Sequence, residues 1–287
     1  MTTPAIDSRN ADQVAYWNGA AGHCWTDLQQ VQDVVLAPVS AALIEKAAPK
    51  AGETVIDIGC GCGATSFALV RAIGANGRVL GVDISEPMLS RARNLAEPGV
   101  PVDFMLADAT VHPFAPAGAD LLFSRFGVMF FAEPAKSFAN MRRALRRGGR
   151  LAFACWRTPR ENPWMMLGLK EAYKYVPKLQ PMDPEDPGPF SFASEERVNR
   201  ILVEAGFADI RMEPVDLLLE VAAGRGLEAA VQATISIGPT NRALENQPAD
   251  KVGAATRSIR DMLASHLKGD TVPLGGSIWL VTAINHN

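Results

Sequence analysis

The 287-residue chain has no run of 18 apolar residues, so no segment of it is expected to cross a membrane as a helix. It also lacks a basic excess. Lys and Arg number 28 against 31 Asp and Glu, for a net charge of −3, which argues against nucleic acid as a partner. The densest basic run, Arg142, Arg143, Arg146, Arg147 and Arg150, falls at the end of an expected helix, where the helix dipole favours cations. The first residues, Met1 to Asp7, have no basic segment leading into an apolar core, so no secretory leader is read there and the cytoplasm is the expected compartment. Cysteine is scarce. Cys60 and Cys62 form a single Cys-x-Cys pair with no second pair nearby, and Cys24 and Cys155 stand alone, a poor zinc set; no metal is expected. Internal repeats and low-complexity tracts are absent. What remains, 48% hydrophobic residues, suffices for one large α/β domain with an accessory layer.

The most telling run is Val55-Ile56-Asp57-Ile58-Gly59-Cys60-Gly61-Cys62-Gly63. Three glycines at alternate positions follow a short apolar strand, and glycine lets a backbone turn sharply and a ligand approach it closely. A strand, a glycine loop and a helix in succession hold a nucleotide in α/β folds. Asp57, two residues before the first glycine, refines the reading. A carboxylate at the mouth of the loop repels a pyrophosphate and suits a cation such as S-adenosylmethionine, with its sulfonium and ammonium. The loop therefore favours methyl transfer over the hydride transfer of an NAD-dependent dehydrogenase.

From 54 to 156 strands and helices alternate. Nearly continuous apolar runs predict strands at 54–58, 78–83, 102–108, 119–126 and 150–156, as in a parallel sheet buried on both faces. Helices are expected near 64–73, 87–96 and 134–146, the second with Ser85 as N-cap and Pro87 in its first turn. This alternation argues a doubly wound sheet. Before it, residues 1–9 read as mobile and helices are expected at 10–20 and 30–48, the latter kinked at Pro38. The stretch Tyr16 to Trp25 reads as a flexible flap carrying aromatic side chains. After it, the proline-rich segment 157–193, with an amphipathic stretch at 163–176, reads as a stiff loop of lid type. A helix from Ser194 to Gly206, a strand at 210–221, helices at 226–237 and 248–268 and a final strand at 277–284 complete the chain. The expected division is a helical flap over 1–49, a cofactor-binding core over 50–160, and lid plus last strands over 161–287.

Two more acids stand at strand tips. Asp83 ends Arg78-Val79-Leu80-Gly81-Val82-Asp83, where a carboxylate can accept both ribose hydroxyls of an adenosine. Asp108 ends the next strand, where it can accept from an adenine amino group while the Ala109 N–H donates to the ring. With Asp57, all three fall at the carboxyl ends of strands, where ligands bind open α/β sheets.

On these residues, with Arg143-Ala144-Leu145-Arg146-Arg147-Gly148-Gly149-Arg150-Leu151 after the fourth strand, the chain resembles the class I S-adenosylmethionine-dependent methyltransferases. Arg147 stands where the family usually has proline. The Trp-rich N-terminal segment and Ser124 to Phe131 are similar to the ubiquinone/menaquinone-type small-molecule branch. The resemblance implies a Rossmann-like, mostly parallel seven-stranded sheet whose last strand inserts antiparallel, with S-adenosylmethionine as cofactor and S-adenosylhomocysteine as product. It implies that Asp57 and the loop residues Gly59, Cys60, Gly61 and Gly63 face the methionine part. Asp83, with Ile84 and Met88 beside it, would hold the ribose side, and Asp108 with Ala109 the adenine. Ser124 and Arg125 would lie beside the methyl group. Trp17 and Trp25 could close over the sulfonium by cation–π attraction, or simply pack a helix onto the domain.

In-line methyl transfer needs alignment and a dry site more than a catalytic triad. His23, in the flap, is the best of the four histidines as a general base. Trp156, Trp164, Met165, Met166, Tyr173 and Tyr175 offer a wall for an apolar or planar small-molecule acceptor, or ordinary core. A protein or nucleic-acid acceptor, or cofactor binding without transfer, are the rival readings. A homodimer through an exposed C-terminal strand and the N-terminal helices is left open.

Overall fold

The computed structural model describes residues 6–286. Its centre is a seven-stranded sheet: β1 (Thr54–Ile58), β2 (Arg78–Asp83), β3 (Val102–Leu106), β4 (Ala119–Arg125), β5 (Leu145–Trp156), β6 (Ala208–Glu220) and β7 (Pro273–Ile284). The strand order is β3-β2-β1-β4-β5-β7-β6. The first five strands pair parallel, and β7 runs antiparallel between β5 and β6. This is the doubly wound arrangement expected from the alternation. Because β7 is paired on both sides, the C-terminal strand offers no free edge for a dimer; the outer strand on that side is β6.

The N-terminal layer holds α1 (Ala11–Asn18), α2 (Ala20–Asp27), α3 (Gln29–Val35) and α4 (Ala37–Ala47). The expected flexible flap is thus two short helices broken at Gly19, whose extended ψ of −151° interrupts the helical path. Pro38 does not kink a long helix. It sits in the first turn of a new one, where its missing N–H costs nothing. Of the segment 1–9, residues 1–5 lie outside the described residues, and with them most of the stretch read for a leader. Ser8–Asn10 form a 3₁₀ turn rather than a mobile tail.

The crossover helices α5 (Ala64–Ile73), α6 (Glu86–Leu95) and α7 (Pro134–Arg142) follow the expected spacing. The core runs through Val55, Ile56, Leu121, Leu122, Phe123, Phe153 and Val281, with Val39 and Leu43 of α4 packed into it. A second core joins α8 (Pro163–Ala172), α10 (Gly226–Ser236), α11 (Gly238–Leu244) and α12 (Ala249–Ala264) through Leu169, Ala230, Val231, Leu244, Ile259 and Leu263. Between α8 and β6 lies α9 (Glu195–Glu204), capped by the Ser194 hydroxyl accepting from Arg197 N. No helix among the described residues is long and apolar enough to cross a membrane.

Two backbones meet at the mouth of the sheet. Gly59, at φ +68°, approaches Gly127 so closely that a Cβ on Gly59 would stand 2.6 Å from the Gly127 Cα. A Cβ on Gly127 would stand 2.7 Å from the Ile58 carbonyl oxygen. Gly127→Ala is therefore expected to destabilise by about 2 kcal/mol, as overpacking does. Thermal melts measure this, and an unchanged midpoint would contradict so tight an approach.

Candidate active site

The glycine loop is fixed from both ends. Gly59 N and Cys60 N donate to the Val82 carbonyl, and Gly63, at φ +89°, turns the chain into α5. The first turn of α5 then reaches back to Asp57. Thr65 Oγ1 and Ser66 Oγ both donate to its Oδ2, at 2.7 and 2.6 Å. Its Oδ1 is buried and has no partner. Burial raises the Asp57 carboxyl to about 6, against the pull of Ser66, Thr65 and Arg125. A buried carboxylate oxygen left unpaired costs free energy that an incoming cationic donor would return.

Asp83 is tied to the loop it faces. Its Oδ2 accepts from Gly61 N at 2.8 Å and its Oδ1 from Ser85 N at 2.9 Å. Burial raises its carboxyl, opposed by those backbone donors. Met88 lies buried against Gly61. Ser85 holds the N-cap position of α6, but its hydroxyl makes no cap bond and instead donates to the Trp17 carbonyl at 2.6 Å. Asn18 Nδ2 donates to the Ile84 carbonyl and Asn18 Oδ1 accepts from Glu86 N. The flap is thereby docked on the tip of β2. Trp17 packs edge-on against Trp25 and Phe130, with ring centroids at 6.2 and 5.3 Å.

Asp108 departs from expectation. Rather than an open acceptor, it is buried under the N-terminal turn. Its Oδ2 accepts from Asp7 N at 3.0 Å and from Asn10 Nδ2 at 3.1 Å; its Oδ1 accepts from Asn10 Nδ2, Thr110 N and Thr110 Oγ1. Asn10 Oδ1 in turn accepts from Ala132 N, beyond β4. Arg9 pairs with Asp7 and Glu133 and braces the turn. Ala109 is buried beside it, its carbonyl accepting from Asn140.

At the tip of β4 the two neighbours part. Ser124 is spent on structure: its hydroxyl donates to the Ile58 carbonyl at 2.7 Å and accepts from Gly127 N. Arg125 instead reaches towards α4, donating from Nη1 to Ser40 Oγ at 2.7 Å. Burial pushes its guanidinium down and the charges of Asp33 and Asp57 pull it back. Phe126 then takes φ +71°, a conformation that costs a non-glycine residue about 1 kcal/mol or more. It stacks on Trp156 at 4.1 Å and 15°, and Trp164 lies 5.0 Å further on. Of the other wall residues, Met166 and Tyr173 pack into the second core and Tyr175 is exposed. His23 is exposed on α2 and forms no hydrogen bond with a site residue among those described.

Asp57 at the end of β1 and Asp83 at the end of β2 thus flank the glycine loop, Asp57 with an orphaned buried carboxylate oxygen, and Asp108 follows the next strand, β3. These carboxylate acceptors fit a nucleoside that carries a positive charge better than one carrying a pyrophosphate. Comparison with known proteins agrees. The family described as methyltransferase domain matches residues 55–149. The demethylmenaquinone methyltransferase of Clavibacter sepedonicus is 31% identical over 64% of this chain and 76% of its own. The chain belongs to the class I S-adenosylmethionine-dependent methyltransferases.

Within that family, aklanonic acid methyltransferase DauC of a Streptomyces species is 35% identical over 40% of this chain and 54% of its own. The chain spans about half the length of the first curated relatives it matches. The fold is also that of the solved YcgJ protein of Bacillus subtilis, with TM-score 0.56 and 17% identity over 86% of this chain and 98% of the other. The residues that motif reading missed are those contributed by other parts of the chain: Asn10, Asn18, Asp33 and Ser40. Only Thr65 and Ser66, directly after the glycine loop, carried a local signal.

Proposed function

We propose that this methyltransferase moves the methyl group of S-adenosylmethionine in line onto a small, apolar or planar acceptor. The unpartnered Oδ1 of Asp57, buried at the mouth of the glycine loop, carries this reading. In it, Asp57 holds the cofactor's ammonium and Asp83 accepts the two ribose hydroxyls. Asp108 and Ala109 take the adenine edge once the N-terminal turn yields. The cofactor supplies a sulfonium-bound methyl group, and the protein supplies alignment and exclusion of water. Residues 1–49 act as the flap, 50–160 hold the cofactor, and 161–287 bring the lid and last strands. Phe126 and Trp156, stacked on each other, with Trp164 tilted 47° against Trp156, give the acceptor an aromatic wall reaching from the tip of β4 into the lid. The names of relatives acting on aklanonic acid and demethylmenaquinone support a small-molecule acceptor.

The test is label transfer from deuterated-methyl S-adenosylmethionine into a host extract split into small-molecule and macromolecular fractions, with Asp83→Ala as control. A mass-shifted metabolite that disappears in the control is the expected result. Label only in protein or RNA would replace the acceptor class, and no label from protein that binds cofactor would end the transfer reading.

A further inference from the structure

Arg125 is underused where it stands. Its guanidinium carries five N–H donors, and among the described residues it makes one hydrogen bond, to Ser40 Oγ, and no ion pair. The acids whose charges face it are Asp57 and Asp33. Asp33 is engaged elsewhere: its Oδ2 accepts from Gln29 Nε2 at 3.1 Å, and Gln29 Oε1 accepts from Arg91 Nε at 2.8 Å. Asp57 spends Oδ2 on Thr65 and Ser66 and keeps Oδ1 free. β1 and β4 are adjacent and in register at Asp57 and Phe123, so the acid and the guanidinium stand at neighbouring strand tips. Ser124 is locked into the backbone and Phe126 stacks on Trp156, whereas Arg125, two residues beyond Phe123, lies on the same face of the sheet as Asp57 with its guanidinium held only by Ser40.

A free carboxylate oxygen and free guanidinium donors at neighbouring strand tips are the complement of an amino-acid zwitterion. A guanidinium fork matches a carboxylate in two parallel hydrogen bonds and discriminates strongly for it in a water-poor site. We propose that Arg125 is the receptor for a carboxylate at the loop, that of the cofactor's methionyl group, and so determines which adenosyl sulfur compounds the site accepts. This rests on the reading that the loop holds S-adenosylmethionine, and it moves Arg125 from beside the methyl group to the far end of the amino-acid moiety. A carboxylate on the acceptor has the same chemistry, and the experiment separates the two sources.

Calorimetric titration would use three probes: S-adenosylmethionine, its decarboxylated form, which keeps an amine and lacks the carboxylate, and 5′-methylthioadenosine, which lacks the whole amino-acid end. Wild type is expected to prefer S-adenosylmethionine over the decarboxylated form by about 50-fold, as a charge-assisted bidentate pair allows. Arg125→Gln should bring that ratio to within about 3-fold while leaving 5′-methylthioadenosine affinity unchanged, which shows that the adenosine pocket is still folded. Arg125→Lys, keeping the charge without the fork, should fall between. A ratio that survives in both variants overturns the proposal, and a survival accompanied by loss of label transfer into a carboxylate-bearing metabolite of the extract assigns Arg125 to the acceptor's anion instead. If wild type binds neither S-adenosylmethionine nor 5′-methylthioadenosine, the functional reading itself fails, and the Arg125 assignment with it.

Discussion

Asp83→Ala is expected to weaken S-adenosylhomocysteine binding by about a thousandfold, because two hydrogen bonds from ribose hydroxyls to an ionised acceptor contribute about 1.5–3 kcal/mol each. The loss should exceed that of the ribose contacts alone. Asp83 also accepts from Gly61 N and Ser85 N, so its removal frees the middle of the glycine loop and the start of α6 together. Asp103→Asn is the matched control. Asp103 lies on β3 of the same sheet, but it is exposed and paired with Arg78, and its loss should leave affinity untouched. Titration calorimetry on both variants decides the matter. Equal, small losses would remove Asp83 from the cofactor site.

The second large effect is on pH. The Asp57 carboxyl, ordinarily near 3.8, is raised to about 6 by burial. For a carboxyl raised in the folded state, the stabilising contribution is full below the unfolded value and is lost as pH rises through about 6. The unliganded protein therefore carries an uncomfortable charge at neutral pH. A cofactor ammonium at Oδ1 reverses this, since it favours the ionised form. Affinity should accordingly fall about tenfold per pH unit below about 6, with uptake of S-adenosylmethionine releasing a proton there. Asp83, also raised by burial, acts in the same direction, whereas Arg125 stays charged throughout. Calorimetry in buffers of differing ionisation enthalpy reads the proton directly. Asp57→Asn should bind about 50-fold more weakly at pH 8 and lose most of the pH dependence. A flat profile in the wild type would mean that Asp57 does not meet the ligand's cation.

These effects trace to features that were legible in the sequence for local reasons. Glycines at alternate positions after Val55-Ile56-Asp57-Ile58, and acids closing two apolar runs, are short-range patterns that tertiary context had little room to alter. Other parts depended on distant partners. β5 begins at Leu145 rather than 150 because Leu145 pairs with Ala119 and the Gly148–Gly149 turn is held by Asn285. β7 begins at Pro273 because Leu217 to Glu220 of β6 pair with residues 273–276. The helix expected over 226–237 is followed by an unforeseen α11, restarted at Gly238 with φ +72°. Arg125 and Ser40 are 85 positions apart, and Asn10 and Asp108 98 apart, so no motif spacing could announce either contact.

On the proposed reading that Asp108 takes the adenine edge, the turn over it would give the protein an internal rival for its own ligand. A carboxylate offers about four lone-pair sites, and here four donor groups fill them: Asp7 N, Asn10 Nδ2, Thr110 N and Thr110 Oγ1. An adenine amino group can join only by evicting one, and the backbone N–H of Asp7 is the donor that stands outermost along the chain. Measured affinity is then a net quantity, the intrinsic affinity divided by the extent to which the first turn keeps the place taken. Because the rival is tethered, it acts at a fixed local concentration that dilution cannot lower. Changes near the first ten residues would retune cofactor occupancy without touching a single residue of the glycine loop.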